Sequence, residues 1–387
     1  MAIRTLHTAL GVGSAMKEAT RAGLDRAIPF GSKAPLRVRG VSRRWLAKAM
    51  GLPRGSITSV EVLDHHSGTA ARARIAVESE AAEVPGHLFV KMVPSNYLQH
   101  VLMNLFRLGM KEIIAYRALG DTPPVRIPRC HVARYSSARR RSILVLEDLS
   151  QTAEFRTVVD SVTAEEAAAV VDALADLHAA FWNSPRFDAD LRPLARRSAT
   201  EVRLGEMIRR QFLAEIDGHA ADLMPEQVKQ QCRVFYQRGT DIDAFWASVP
   251  RTLTHGDTHL GNLFFEAGSP GFLDWQVAAA GPGIRDVAYF ANASVEPGLL
   301  RGIETDLVRR YTDRLAAAGV DADFDRTWLH YRAAVTEFLL AAVCTAEAGE
   351  RMQSAEVSRV GVERAVAGVL AHDSFDVLDA LISGSRG

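Results

Sequence analysis

The stretch THGDTHLGNLFFEAGSPGFLDWQ, residues 254–276, decides how the rest of the chain is interpreted. It contains two histidines, two aspartates and an asparagine between short apolar runs. Asn262 follows Asp257 by five positions, and Asp274 follows Asn262 by twelve. Carboxylate and amide oxygens are the ligands that a hard cation such as Mg²⁺ prefers. The stretch therefore predicts a site where a cation such as Mg²⁺ could neutralise a strongly negative reacting group.

The composition limits the class of protein. Of the 387 residues, 48% are hydrophobic and 24% are charged, as in soluble globular proteins. The three cysteines lie far apart, which favours a reducing, cytoplasmic compartment over a disulfide framework. The apolar run at residues 335–346 contains Glu337 and is shorter than the ~20 residues of a membrane span. The first residues lack the apolar core of a secretory signal.

Residues 1–54 are strongly basic, with eleven Lys or Arg against only Glu18 and Asp25. We expect a helical extension, docked on the acidic remainder of the chain or able to make peripheral contact with an anionic surface. Aromatic residues are not interleaved with the basic ones, so no nucleic-acid partner is predicted. Within this segment, residues 41–52 predict a short helix that Ser42 caps.

Hydrophobic periodicity predicts an α+β protein of two lobes. The predicted antiparallel strands of the first lobe are residues 57–65, 71–79, 86–93, 127–135 and 141–149. One long helix is predicted over residues 103–120, and the arginines of the turn at residues 136–141 are expected to be solvated. The predicted division is an extension at 1–54, a nucleotide-binding lobe at 55–150 and a helical lobe at 151–387.

The second lobe is predicted to be mainly helical. Its first helix, residues 163–182, begins with a capping box of Thr163 and Glu166. His178 in this helix is expected to be a packing residue. Strands return only around the opening stretch, at residues 251–275.

The spacing of the polar residues in the opening stretch matches a phosphoryl-transfer site. Protein kinases use a loop H-R-D-x-x-x-x-N followed by a D-F-G aspartate. Asp257, Asn262 and Asp274 have the corresponding types and order. Kinases also need a lysine on the third strand and a glutamate on the next helix, and Lys91 and Glu112 occupy these places. Either charge alone would usually be a surface residue, but together they favour a functional pair.

Two further segments fit the same interpretation. The turn at residues 65–72, HHSGTAAR, lies where kinases cover the phosphates with a glycine-rich loop. It contains one glycine, Gly68, which Thr69 follows. Residues 143–150, ILVLEDLS, lie where a strand leads to an adenine-binding hinge.

These motifs resemble those of the aminoglycoside phosphotransferase and choline kinase-like superfamily, which has a protein-kinase-like fold. The signature HGDxHxxN followed by DW is present, and the resemblance extends over about residues 55–295. The pair Glu112 and Tyr116 (E-x-x-x-Y) and the hinge EDL are similar to the ecdysteroid-kinase-like branch. The resemblance implies an enzyme that uses ATP and Mg²⁺ to phosphorylate a hydroxyl of a small molecule.

The resemblance also implies residue roles. Asp257 corresponds to the catalytic base, and Asn262 and Asp274 correspond to the Mg²⁺ ligands. Asp286 corresponds to an aspartate that braces the catalytic loop. The remaining implied nucleotide-binding residues are Lys91, Glu112, Gly68, Thr69 and the backbones of Glu147 and Leu149.

Other functions are compatible with parts of the pattern. His255, Asp257 and His259 have the H-x-D-x-H spacing of one arm of a metallohydrolase site, but no second cluster of ligands is evident. A nucleotide-binding scaffold without catalysis is another alternative. A protein Ser/Thr kinase is a third, although no A-P-E element follows Asp274.

The acceptor is less well defined by the sequence. Residues 301–387 contain fourteen acids and ten bases, which is only mildly acidic and favours a neutral hydroxylated acceptor, sterol-like or a sugar alcohol, over a polycationic antibiotic. Four aromatic residues either line an acceptor pocket or belong to the helical core: Tyr289, Phe290, Trp328 and Tyr331. The sequence leaves the oligomeric state and the choice between ATP and GTP open.

Overall fold

The computed structural model describes residues 13, 16–25, 34–67, 70–94, 96–218, 221–348 and 353–384. Within these ranges the chain forms a small lobe built on a five-stranded sheet and a larger, mostly helical lobe. This is the predicted α+β, two-lobed architecture. The division at residues 54 and 150 stays a prediction.

The small lobe is an antiparallel sheet in the order β1-β2-β3-β5-β4. Its strands are β1 (Ile57–Ser67), β2 (Ala71–Ser79), β3 (His87–Met92), β4 (Cys130–Ser136) and β5 (Arg141–Glu147). All five predicted strands are therefore confirmed. Along β2, buried and half-buried residues alternate, because successive side chains of a strand point to opposite faces. One face of the sheet contributes to a core, and the other, which carries Arg72 and Lys91, lines the cleft between the lobes.

Helices accompany this sheet on both sides. They are α1 (residues 16–25), α2 (Arg43–Met50), α3 (Tyr97–Leu105) and α4 (Leu108–Leu119). The predicted helix at 41–52 corresponds to α2: the Ser42 side chain caps its first turn, and Gly51 ends it at φ +78°, a conformation that suits glycine. Leu46 of α2 is fully buried in the core of the sheet.

The arginine turn between β4 and β5 is bound to α1. Arg141 is 2% exposed and forms a salt bridge with Asp25, which also binds Arg139 at 3.2 Å. Arg140 lies 3.4 Å from Glu18. The prediction that these arginines are solvated is wrong, because the two acidic side chains of the first 54 residues both reach them from α1.

The helix predicted over residues 103–120 is divided into α3 and α4. The break is at Arg107, which has φ +58°, a left-handed conformation that is uncommon for a residue with a side chain. Its guanidinium donates to the Pro193 carbonyl at 2.8 Å and pairs with Glu201 of the large lobe at 2.7 Å. These contacts hold Arg107 in place, so tertiary structure overrides the continuous helical periodicity. The predicted end of the helix at Gly120 is confirmed.

Helices form most of the large lobe. They are α5 (Ala164–Ala180), α6 (Arg192–Ala195), α7 (Ala199–Glu215), α8 (Glu226–Gln237), α9 (Gly239–Ser248), α10 (Ile284–Ser294), α11 (Pro297–Ala317), α12 (Phe324–Ala348), α13 (Ala355–Ala371) and α14 (Ser374–Gly384). The predicted capping box of Thr163 and Glu166 is present at the start of α5. Val170, Leu174 and Leu177 of this helix are fully buried in the core of the lobe. Among the described residues, no helix combines the length and apolarity that crossing a membrane requires.

Short strands interrupt the helices of the described chain, three of them within residues 251–275 as predicted and two outside that range, at residues 154–155 and 279–281. They are β6 (Glu154–Phe155), β7 (Thr252–Thr254), β8 (Leu263–Glu266), β9 (Ser269–Phe272) and β10 (Ala279–Gly281). β8 and β9 form a hairpin that β6 extends, and β7 pairs with β10. The loops that connect β7 to β8 and β9 to β10 carry the polar residues of the opening stretch, so these strand ends position the site.

Candidate active site

The loop from β7 to β8 holds Asp257 and Asn262 against each other. Asn262 Nδ2 donates to the backbone carbonyl of Asp257 and to its Oδ2, each at 2.9 Å. Gly256 has φ +84°, and a Cβ at this position would lie 3.0 Å from the Val277 carbonyl oxygen. The turn therefore requires glycine, as HGD in the sequence supplies.

Asp286 of α10 braces this loop from inside the large lobe. Its carboxylate accepts the backbone N–H of His255 at 2.6 Å and that of Gly256 at 2.9 Å, and it is 1% exposed. Burial raises the pKa of Asp286, but the hydrogen bond and charge of His178 and the N–H of Gly256 lower it more, so the net pKa is below its usual value. The contact implied by the family resemblance is thus present, and it holds the start of the loop through a charged group.

His178 has a structural position behind Asp286. Its Nε2 lies 3.3 Å from Asp286 Oδ2, and its Nδ1 lies 2.9 Å from the Tyr311 hydroxyl. The side chain is fully buried. The expectation that His178 is a packing residue is confirmed.

Asp274 follows β9 in a left-handed conformation, with φ +57°. Such a conformation costs energy in a residue other than glycine, and it is typical of functional sites. The preceding carbonyl, of Leu273, is bound to His255 Nε2 at 2.6 Å, and the following side chain, of Trp275, is fully buried against the His255 ring. His255 therefore connects the two loops, and this holds the Asp274 carboxylate at the cleft.

Lys91 joins three elements at the centre of the cleft. Its Nζ lies 2.7 Å from Glu112 Oε1 on α4 and 2.9 Å from Asp274 Oδ1. The Lys91 and Glu112 side chains are 6% and 4% exposed. Burial raises the pKa of Glu112 even though Lys91 opposes the shift. Burial also raises the pKa of Asp274, but Lys91 and Arg72 lower it more, so this carboxylate remains ionised.

Arg72 is a member of this cluster that the sequence does not reveal. Its Nη2 lies 3.2 Å from Asp274 Oδ2. It comes from β2, where its cross-strand partner is Lys91. The alternation along β2 is a signal that Arg72 shares a face with Arg74, but the register of β2 against β3 cannot be read from the sequence.

The cleft between the lobes has a volume of about 280 Å³. Its lining includes the predicted residues Lys91, Glu112, Glu147, Leu149, Asn262 and Asp274. At the hinge, the Glu147 N–H donates to the Arg129 carbonyl at 2.9 Å, and the Leu149 carbonyl accepts two N–H groups of the following turn. Gly68 and Thr69, predicted to contact the phosphates, lie outside the described residues.

The hinge is tied to the large lobe by Arg126, which the sequence does not reveal. Arg126 Nη1 lies 2.9 Å from Glu147 Oε2, and Arg126 Nε lies 2.7 Å from Glu266 Oε2. Because Glu147 ends β5 and Glu266 ends β8, one guanidinium links the small sheet to the hairpin beneath the cleft.

The environment of Asp257 favours its ionised form. Its side chain is 35% exposed, with His259 Nε2 at 3.6 Å. Burial raises the pKa of Asp257, but the charges of His259 and His255 help to lower it below its usual value. Burial lowers the pKa of His259, and the charge of Asp257 raises it more, so the net shift is upward. Asp257 is therefore available as a proton acceptor near neutral pH.

The four aromatic residues considered for the acceptor pocket separate into two groups. Phe290 and Tyr331 are buried in the helical core, and Trp328 stacks on Tyr331 with ring centroids 5.3 Å apart. Tyr289 is different, because burial and the nearby charge of Asp257 raise the pKa of its hydroxyl well above the usual value. Of the four, Tyr289 is therefore the one whose hydroxyl is close to the predicted base.

The donor groups present fit Mg²⁺. Because Asn262 donates its Nδ2 hydrogens to Asp257, its Oδ1 is left to accept a cation, as one of the hard oxygen ligands that Mg²⁺ prefers. Asp274 already binds two cationic side chains through its two carboxylate oxygens. The structure thus offers an amide and a carboxylate oxygen donor at the same cleft.

The metallohydrolase interpretation of the H-x-D-x-H spacing does not fit the geometry. His255 Nδ1 lies 3.3 Å from the backbone nitrogen of Asp257, and Nε2 is bound to the Leu273 carbonyl, so both ring nitrogens are engaged. Across the part of the chain that the structure describes, no three His, Cys, Asp or Glu side chains are arranged to hold a metal ion. His255 is therefore a loop-positioning residue.

The family follows from a comparison with family models. The model described as the ecdysteroid kinase-like family matches residues 63–321, which is more than half of the chain. The chain belongs to the ecdysteroid kinase-like family. The matched region of this kinase-like protein includes the whole cluster from Arg72 to Asp286. A comparison with curated proteins gives no match.

Solved structures of small-molecule kinases are similar to this family member at low identity. A macrolide 2'-phosphotransferase from Brachybacterium faecium is 16% identical, covering 79% of this chain and 92% of that one, with a TM-score of 0.45. A choline kinase from Cryptosporidium parvum is 10% identical, with coverages of 84% and 91% and a TM-score of 0.49. An ethanolamine kinase from Plasmodium vivax is also 10% identical, with coverages of 81% and 82% and a TM-score of 0.45. These values assign no substrate to the chain.

Proposed function

We propose that this ecdysteroid kinase-like protein transfers the γ-phosphate of ATP to a hydroxyl group of a small molecule, with Mg²⁺ as cofactor. The observation that carries the proposal is the convergence of Lys91, Glu112 and Asp274 at one cleft whose wall also includes Asn262, hydrogen-bonded to Asp257. Phosphoryl transfer depends mainly on positioning and charge stabilisation, and this cluster supplies both.

Each group in the cleft has a role in this proposal. Lys91 neutralises the phosphates, and Glu112 fixes the lysine by a contact of 2.7 Å. The backbones of Glu147 and Leu149 bind the adenine at the hinge end. Asn262 and Asp274 would hold Mg²⁺, which supplies positive charge to offset that of the phosphates.

Asp257 acts as the base in this reaction. Its carboxylate orients the acceptor hydroxyl and takes its proton as the hydroxyl oxygen bonds to the γ-phosphorus. The bond from that phosphorus to the bridging oxygen breaks, and ADP leaves with the electron pair. Closure of the lobes over the cleft excludes water as a competing acceptor. The lowered pKa of Asp257 supports this role because it keeps the carboxylate ionised at neutral pH.

The proposed acceptor is a neutral hydroxylated compound, such as a sterol-like molecule or a sugar alcohol. Tyr289, whose hydroxyl lies near Asp257, is available to contact it. One turn earlier on the same helix, Arg285 forms a salt bridge with Glu337. This charge-balanced pair, together with the mild acidity of residues 301–387, does not favour a polycationic acceptor.

A panel of acceptors tests the proposal directly. The full chain is incubated with ATP and Mg²⁺ and with sterols, sugar alcohols, amino alcohols and aminoglycosides, and products are detected by a mass increase of one phosphate. We expect a neutral hydroxylated compound to be phosphorylated. Phosphorylation of aminoglycosides alone would contradict the neutral acceptor but support the kinase. Nucleotide binding without transfer to any member would instead favour the scaffold.

A further inference from the structure

Arg72 and Lys91 lie directly opposite each other on neighbouring strands. They are Cα partners in the antiparallel register of β2 and β3, so both side chains project from the same face of the sheet. Like charges in directly opposed positions destabilise a sheet. Here the carboxylate of Asp274 compensates, because Lys91 Nζ binds one of its oxygens at 2.9 Å and Arg72 Nη2 binds the other at 3.2 Å.

The two cations differ in burial and in the number of partners. The side chain of Lys91 is 6% exposed and is shared between Glu112 and Asp274. The Arg72 side chain is 43% exposed, and Asp274 is its salt-bridge partner. A guanidinium has five N–H donors in a fork that matches a phosphate. Arg72 therefore has donors to spare at the mouth of the cleft.

The amino-acid sequence next to Arg72 suggests why such a donor is needed. Kinases that cover the phosphates with a glycine-rich loop use backbone N–H groups that come close to the ligand because the loop has few side chains. In the turn at residues 65–72, Gly68 is the single glycine. A cationic side chain at the end of a glycine-poor turn can add phosphate-binding donors to those of the backbone.

The charge of the cluster also depends on what occupies the cleft. Two cations, Arg72 and Lys91, face two carboxylates, Glu112 and Asp274. If a divalent cation takes the Asp274 carboxylate, Arg72 loses its partner while lying beside the nucleotide cleft. The anion best matched to a released guanidinium there is a phosphate.

We propose that Arg72, which pairs with Asp274 in this structure, is a second phosphate-binding cation and binds the β- and γ-phosphates when a nucleoside triphosphate enters. This inference rests on the proposed function, because it requires the cleft to bind ATP. It assigns to a β2 side chain the part that a glycine-rich turn has in protein kinases.

Nucleotide binding tests this assignment without the need for an acceptor. The affinities of the full chain for ATP and for AMP are measured by calorimetry in the presence of Mg²⁺, for the wild type and for Arg72→Gln. We expect about tenfold or greater loss of affinity for ATP and little change for AMP, since a hydrogen bond to a charged group has this magnitude. Arg72→Lys, which keeps the charge but not the fork, should give an intermediate ATP affinity.

Arg74→Gln is the matched control. Arg74 lies on the same strand and also lines the cleft, but it is bound to Asp64 at 2.6 Å and to Ser150 at 2.9 Å. We expect the Arg74→Gln variant to have the same ratio of ATP affinity to AMP affinity as the wild type. An unchanged ATP affinity in Arg72→Gln, or an equal loss for ATP and AMP, would overturn the role of Arg72. A wild type that binds neither nucleotide would contradict the proposed function itself.

Discussion

Arg107, at the break between α3 and α4, and Glu201 on α7 form an ion pair that joins the two lobes away from the cleft, with Nη1 and Oε2 2.7 Å apart. Glu201 also binds Lys111 at 2.8 Å, and Lys111 immediately precedes Glu112 on α4. The Glu201 carboxylate of the large lobe thus holds α4, the helix from which Glu112 binds Lys91.

This connection predicts a stability effect at a position outside the cleft. Glu201 also accepts the Ser198 N–H at the start of α7, a contact that Glu201→Gln can keep. The substitution removes the charge that Arg107 and Lys111 share, so we expect a loss of about 1–3 kcal/mol in the free energy of unfolding. Denaturant titration measures it. The control is Glu154→Gln, where the glutamate side chain is 60% exposed and pairs with Arg156, and about 0.5 kcal/mol or less is expected. Equal effects of the two variants would contradict the prediction.

The buried pair of Lys91 and Glu112 predicts strong coupling between two substitutions. Lys91→Met leaves the Glu112 carboxylate buried without its cation, which should cost about 3–5 kcal/mol of stability. Glu112→Gln in the same chain removes that uncompensated charge. We therefore expect the double variant to lose less unfolding free energy than the two single variants lose together. The difference in a double-mutant cycle should be about 0.5–3 kcal/mol. Strict additivity would show that the pair is not coupled.

Replacement of the proposed base separates chemistry from binding. Asn at position 257 can still accept the hydrogen bond from Asn262 but cannot take a proton. For Asp257→Asn we expect turnover to fall about 10²- to 10⁴-fold, with the nucleotide affinity nearly unchanged. The measurements are the initial rate of product formation and a nucleotide titration. Turnover equal to that of the wild type would remove Asp257 from the role of base.

Asp286 predicts a pH-dependent stability. Asp286→Asn provides one oxygen acceptor where the carboxylate has two, so a buried N–H of His255 or Gly256 loses its partner, at a cost of about 2–4 kcal/mol near neutral pH. Since folding lowers the pKa of Asp286, its contribution is complete above the unfolded-state pKa of about 3.9 and is lost as the pH falls through the folded-state pKa.

Thermal unfolding of the wild type and Asp286→Asn as a function of pH tests this sign. The difference in melting temperature should be constant from about pH 5 to 8 and should shrink below about pH 4. A difference that grows on acidification would mean that the carboxylate is not held ionised in the folded protein.

Local spacing was sufficient to predict part of the site. Asp257 and Asn262 are five positions apart on one loop, and their side chains are in direct contact. The glycine of HGD allows the tight turn between them and β7. The predicted strands are also present, because alternation along a half-buried strand is a local property of the sequence.

Contacts between distant segments were not predictable in this way. Arg72 and Asp274 are 202 positions apart, and they meet only because β2 lies in a particular register beside β3. Arg126 reaches Glu266 over a separation of 140 positions. The break at Arg107 likewise depends on Glu201, a residue of the other lobe. A helical or strand pattern carries no information on such partners.

The sequence by itself determined that Asp257 and Asn262 lie close together, because residues on one short loop cannot be far apart in space. Only the tertiary structure decided which charges face each other across the cleft. The reason is that electrostatic interactions depend on distance and burial, and both are set by the packing of strands and helices that are far apart in the chain.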